Sequence, residues 1–174
     1  SAIGPMVTAR ITPYIEVKDA ISIMKSLSIP FMSHTAEFLI PSKAKNLINS
    51  LPMDLMKKVV AHLVKHHHFS VIGGFVEITD DNRVIEIANY IESEADLCRI
   101  TSYVENKEKI VPVILHLSER KVLKLIEASF DLHLQNDLFD IFSKMNATQQ
   151  KKIVAVLGKL PTKIMNDIEK HLLK

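Results

Sequence analysis

The sequence predicts an all-α fold, an α-solenoid of about eleven short helices. Three observations predict it. Glycine is scarce, with four in 174 residues against a usual share of about 7%, and sheets and barrels need many turn residues. Helix-start signals recur along the whole chain. One fourteen-residue phrase is written more than once, which is the mark of stacked repeats.

The first twelve residues are read as a tail, and residues 13–174 as one helical-repeat domain. Thr12-Pro13 places a capping residue before a proline and opens a helix over 13–26. Ser28-Ile29-Pro30 does the same for 29–39. Pro41 and Pro52 each follow an apolar residue and open helices over 42–50 and 53–67. In the latter, Leu55, Met56, Val59, Val60 and Leu63 fall on one helical face, not in a strand's alternation. A helix is predicted over 70–77, although FSVIGGFVEI (69–78) is the most strand-like piece of the chain. Its Gly73-Gly74 pair suits a bend or a close helix contact. TDDN (79–82) offers caps for 81–91, Ser93-Glu94 for 94–105 and Ser118-Glu119 for 119–131. A further helix spans 107–116, and another 134–144. Asn146-Ala147-Thr148 opens 147–158, and Pro161 opens 162–173.

The phrase SLPMDLMKKVVAHL (50–63) returns as KLPTKIMNDIEKHL (159–172) with five of fourteen positions identical. KMNATQQKKIVAVL (144–157) is a third copy, in which KKIVAVL keeps five of seven positions of KKVVAHL. An apolar residue, a cap or proline, an amphipathic helix and a short join make a unit that cannot bury its stripe alone. Stacked units make a continuous core. The recurring phrase is therefore a building unit and not a catalytic signature.

AKNLINSLPMDLMKKVVAHL (44–63) resembles the N-terminal cytosolic domain of MgtE-type magnesium transporters, and the flagellar protein FliG is similar in architecture. GGFVEI (73–78) and SYVENKEKIVPVI (102–114) are similar to segments of uncharacterised stand-alone bacterial proteins grouped with that superhelix. The resemblance covers about residues 27–174 and implies a right-handed superhelix. The matching positions it singles out, besides Gly74 and Val76, are Phe75, Tyr103, Glu105 and Lys107, a candidate binding groove. In the transporter the domain is strongly acidic, helps to hold regulatory Mg²⁺ at a carboxylate-lined interface, and precedes paired sensor domains and a pore. These 174 residues contain neither of the latter and carry net charge +2, so the resemblance implies fold more than function.

Charge is unevenly spread. Residues 1–76 carry 8 basic and 4 acidic groups, residues 77–140 carry 7 and 14, and residues 141–174 carry 7 and 2. Basic ends and an acidic middle are complementary, which predicts salt-sensitive self-association between copies. Lys57-Lys58 and Lys151-Lys152 take outward positions on repeat helices without the dense basic stripe of a nucleic-acid reader. No apolar run approaches the roughly 18 residues of a membrane span. A single cysteine, Cys98, forms no internal disulfide, and a reducing, cytoplasmic setting is expected. Without a second group to activate it, Cys98 reads as a small buried apolar residue.

Two weak metal candidates are visible. His62 and His66 stand four apart on one helix face, and Glu92, Glu94 and Asp96 cluster at a helix start. The competing readings are a helix C-terminus that favours imidazolium and an acidic first turn that suits the helix dipole. No phosphate loop, zinc signature or nucleophile elbow is present. The expected function is a non-catalytic interaction or regulatory module without a cofactor, binding a protein partner. The alternative is a small-ligand or Mg²⁺-sensing module using a groove or the acidic middle.

Overall fold

The computed structural model describes residues 3–158, 162 and 164–166. The described residues form twelve α-helices and no strand. They are α1 (Pro5–Ile11), α2 (Val17–Met24), α3 (Ile29–Phe38), α4 (Pro41–Ser50), α5 (Met53–Lys65), α6 (Phe69–Val76), α7 (Asp81–Tyr90), α8 (Glu94–Ser102), α9 (Val111–His116), α10 (Glu119–Asp131), α11 (Gln135–Ser143) and α12 (Ala147–Leu157). Two 3-10 turns, Thr12–Tyr14 and Lys107–Ile110, precede α2 and α9.

The all-α expectation holds, and several starts fall where the capping residues placed them. The hydroxyls of Ser28, Ser93 and Ser118 accept from the N–H groups of Phe31, Asp96 and Lys121. Asn146 and Gln149 form a reciprocal capping box, at 3.0 and 2.9 Å.

Other expectations are corrected. Residues 5–11, read as tail, form α1, which buries Ala9 and packs on α3. The helix over 13–26 is broken, because the chain is extended at Ile15 (φ −97°, ψ 139°) between the first 3-10 turn and α2. The helix over 94–105 stops at Ser102, where the N–H groups of Tyr103 and Val104 turn back onto the carbonyls of Ile100 and Thr101. The last predicted helix, 162–173, and the last copy of the phrase lie largely outside the described residues.

The helices pack in an alternating order. α1 packs on α3, α3 on α5, α5 on α7 and α7 on α9. On the other side α2 packs on α4, and α6, α8, α10 and α12 follow one another. One apolar cluster runs through the stack from Ala20 to Ile153, so most helices are covered by second neighbours, while α11 packs on α10 and on the second 3-10 turn.

A second pattern crosses the stack. Polar side chains tie loops 28 to 33 residues apart in sequence. The Asn49 carboxamide donates to the Ile78 carbonyl at 2.9 Å and accepts from the N–H of Asp80, the residue before α7, at 2.8 Å. The Arg83 guanidinium donates to the Leu51 carbonyl. Lys109 donates to the Thr79 carbonyl at 3.1 Å and to Asp81 at 2.7 Å. Lys121 reaches the carbonyls of Ala88, Asn89 and Ile91, at 2.6 Å for the last. Burial lowers the Lys121 ammonium's pKa from its ordinary value, against the nearby charges of Glu94 and Glu92, which raise it. Arg83, Lys109 and Lys121 each occupy the third residue of a helix or 3-10 turn. A cation is disfavoured in that first turn by the helix dipole. Here each is drawn off to unpaired carbonyls at the end of an earlier helix, groups that otherwise need water or a cap.

Candidate binding surface

Of the four residues the sequence brought forward as a groove, two reach the surface together. Tyr103 closes α8 and is 54% exposed, and Glu105 stands exposed on the same loop. That loop is fixed to the end of α6, because the Glu77 carboxylate accepts from the Asn106 N–H at 2.8 Å.

Tyr103 owes its position to Gly73. A Cβ on Gly73 would lie 2.7 Å from the Tyr103 Cβ, 3.0 Å from its carbonyl carbon and 3.1 Å from the Ile100 oxygen. The end of α8 therefore rests on bare α6 backbone. Gly74 faces the other way, toward Pro41 at the start of α4, at an ordinary contact distance of 3.7 Å. Of the two uses the sequence allowed for the glycine pair, Gly73 serves the close helix contact, and α6 continues to Val76. Beside Pro41, Ile40 is 55% exposed and Phe38 is exposed as well. Gly73 is itself buried; the exposed apolar side chains at the two glycine contacts are Tyr103, which Gly73 meets, and Ile40, next to the Pro41 that Gly74 meets.

Phe75 and Lys107 do not join Tyr103 and Glu105. Phe75 is half-buried and lines an apolar void of about 90 Å³ with Ala36, Met56, Val59 and Ile87. Lys107 is only 7% exposed. Its ammonium donates to the carbonyls of Thr101 and Val104, at 2.7 and 2.8 Å, and pairs with Asp137 at 2.9 Å. All three N–H donors of the ammonium are used inside the molecule, so Lys107 joins α8 to the first turn of α11 and offers nothing to a ligand.

The metal candidates form no shared ligand set among the described residues. Asp96 pairs with Arg99 at 2.9 Å, while Glu92 and Glu94 lie within the electrostatic reach of Lys121. The His62 and His66 rings stack with centroids 4.4 Å apart. Among the described residues no three His, Cys, Asp or Glu side chains are arranged to hold a metal ion. Cys98 is buried, and its thiol donates to the Leu125 carbonyl at 3.4 Å. Burial pushes its pKa up to about 12, so at neutral pH it is a packed thiol and not a thiolate.

The second void of note, about 80 Å³, lies among α9 to α12 and is lined by apolar side chains such as Phe130, Phe139, Phe142 and Met145. No helix among the described residues is long and apolar enough to cross a membrane.

Sequence reasoning missed the loop-tying residues and the role of Gly73. A basic residue at the third helical position was a readable sign for Arg83 and Lys121, because it runs against the helix dipole. Nothing local marks which glycine of the pair meets another helix. No family model, curated protein or solved structure matches the chain. What fold and surface define is a class: an all-α chain of short packed helices with an exposed tyrosine seated on a glycine of a neighbouring helix.

Proposed function

We propose that this chain is a non-catalytic protein-interaction module whose helices continue as a right-handed α-solenoid, in keeping with the resemblance to the MgtE N-terminal domain. The observation that carries the reading is the exposed Tyr103 ring, seated on the backbone of Gly73. The ring is exposed, and the end of α8 that bears it is held by Gly73 and by the internal bonds of Lys107. An aromatic ring with a polar tip on a rigid support is the residue type that anchors protein interfaces. Catalysis would need an acid, a base and a site for developing charge in one place, and the buried titrating groups described above serve packing instead.

The test replaces Tyr103 by a photo-crosslinking phenylalanine analogue in cells of the source organism, with the same replacement at the exposed Tyr14 as control. The expected result is one protein adduct at 103 and none at 14. The purified partner should then lose at least tenfold in affinity with Tyr103→Ala and be unaffected by Tyr14→Ala. Equal adducts at both positions, or affinity indifferent to Tyr103, would overturn the reading.

A further inference from the structure

Four histidines meet at one joint of the stack. His34 lies on α3, His62 and His66 lie at the end of α5, and His68 lies just beyond it. The backbone fixes this gathering. α5 is closed by the His68 N–H on the Leu63 carbonyl at 2.9 Å and by the His67 N–H on the Val64 carbonyl at 3.0 Å, with His67 in the left-handed region at φ 61°. Glycine usually fills that position. The closure turns the chain so that the His66 and His68 rings lie 6.5 Å apart.

His62 is the inner member. It is half-buried, and its Nδ1 is shut off from water without a hydrogen-bond partner. A neutral ring protonated on Nε2 leaves a lone pair at that atom. Protonation would put a charged N–H there with no acceptor, which is far more unfavourable. The other titratable groups around it are mostly basic: Lys65, His66 and His68 along the chain, and His34 from α3. One carboxylate opposes them, that of Glu37 on α3, 3.7 Å from the His68 Nδ1. Of the other helices that pack on α5, α6 contains no titratable residue. The basic and acidic side chains of α7 that bond at α5 act at its far end, where Arg83 holds Leu51 and Glu86 pairs with Lys57 at 2.7 Å.

We propose that the α3–α5 joint is a pH-operated latch, closed while His62 is neutral and loosened when His62 takes up a proton. The direction follows from burial, which lowers the pKa of His62, with the charges of His66, His34, Lys65 and His68 lowering it further. A histidine that binds its proton less tightly when folded leaves stability intact above its unfolded value, about 6.5, and loses it as the pH falls below that. The latch therefore opens on mild acidification, as in other histidine-operated switches.

The test uses the full chain. Urea midpoints are measured from pH 7.5 to 5.5 for the wild type, His62→Gln and, as a control remote from the joint, His116→Gln. Amide exchange, corrected for intrinsic rates, is followed at both extremes. The wild-type midpoint should fall on acidification, and exchange protection in α3 and the last turn of α5 should drop at least tenfold while α8 and α10 keep theirs. His62→Gln should remove at least half of the fall, and His116→Gln none of it. A fall that is the same in wild type and His62→Gln, or one spread evenly over all helices, would overturn the latch. Should His62→Gln fail to fold, the NMR titration of His62 in the wild type decides: titration below the ordinary histidine value supports the latch, and titration at or above it sinks it.

Discussion

Residues 3–28 and the stretch from Asn49 to Asp137 are built of the same kind of short helix, yet they are held together differently. In the first, side-chain hydrogen bonds reach no further than four residues along the chain. Apolar side chains also remain in water there: Ile3, Met6, Val7, Ile11, Tyr14 and Ile23 are all exposed. In the second, Asn49, Arg83, Lys107, Lys109 and Lys121 each bond a carbonyl of another element or loop. Helix stripes alone assemble a stack, because burying apolar area is non-directional. Buried polar ties fix which loop sits on which, because an unmet carbonyl away from water is costly. The middle has both devices, whereas the N-terminal end has mainly the first.

Breaking the strongest tie should have the largest effect. Lys107→Met keeps the volume but leaves Asp137 and the carbonyls of Thr101 and Val104 without their shared donor. Removing one partner of a buried pair usually costs about 3–5 kcal/mol. Asp137 is 28% exposed on its side chain and recovers some hydration, so a loss of about 3 kcal/mol is expected, read from the guanidinium unfolding midpoint. A loss under about 1 kcal/mol would mean that the middle is held by its apolar stripe alone.

The glycine pair gives a sharper comparison within a single helix. Gly73→Ala drives a methyl into the Tyr103 Cβ and two backbone atoms that have nowhere to go, and should destabilise by about 2 kcal/mol. Gly74→Ala meets only Pro41 at contact distance and sits mid-helix, so it should stabilise by about 0.5–1 kcal/mol. Thermal melts of the two variants should move in opposite directions, and Gly73→Ala should also displace Tyr103 and weaken any partner that binds it.

Much of the fold was legible because its signals are local. Ser28, Ser93, Ser118 and Asn146 cap their helices through groups three residues away, and a reader of the chain sees both ends of each bond. The misplaced boundaries have longer-range causes. α8 ends early where it meets Gly73, about thirty residues before it, and Lys107 bonds its last turn. α1 was hidden because its short sequence carries no side-chain cap, and its one buried residue, Ala9, is small. The candidate surface was legible in part. Tyr103 and Glu105 are exposed, but no pattern of residue types distinguishes Lys107 in the interior from a lysine in water. Its burial depends on Asp137, thirty residues further on and on another helix. The histidines were visible as a run, while the partner-free Nδ1 of His62 exists only in the folded chain.

The smallest expected effect is at the weakly tied end. Val7 is 51% exposed on α1, and α1 packs chiefly on α3 and the 3-10 turn that follows it. Val7→Ser removes apolar surface that is mostly in water already and breaks no polar tie, so stability should change by less than about 0.5 kcal/mol. Set beside Lys107→Met, which also alters one side chain, the contrast measures what the ties add to burial. Should Val7→Ser instead lower the midpoint by more than about 1 kcal/mol, the outer face of α1 would have to be covered in solution. The concentration dependence of that loss would then show whether a second copy covers it, since a dimer's stability rises with protomer concentration and a monomer's does not.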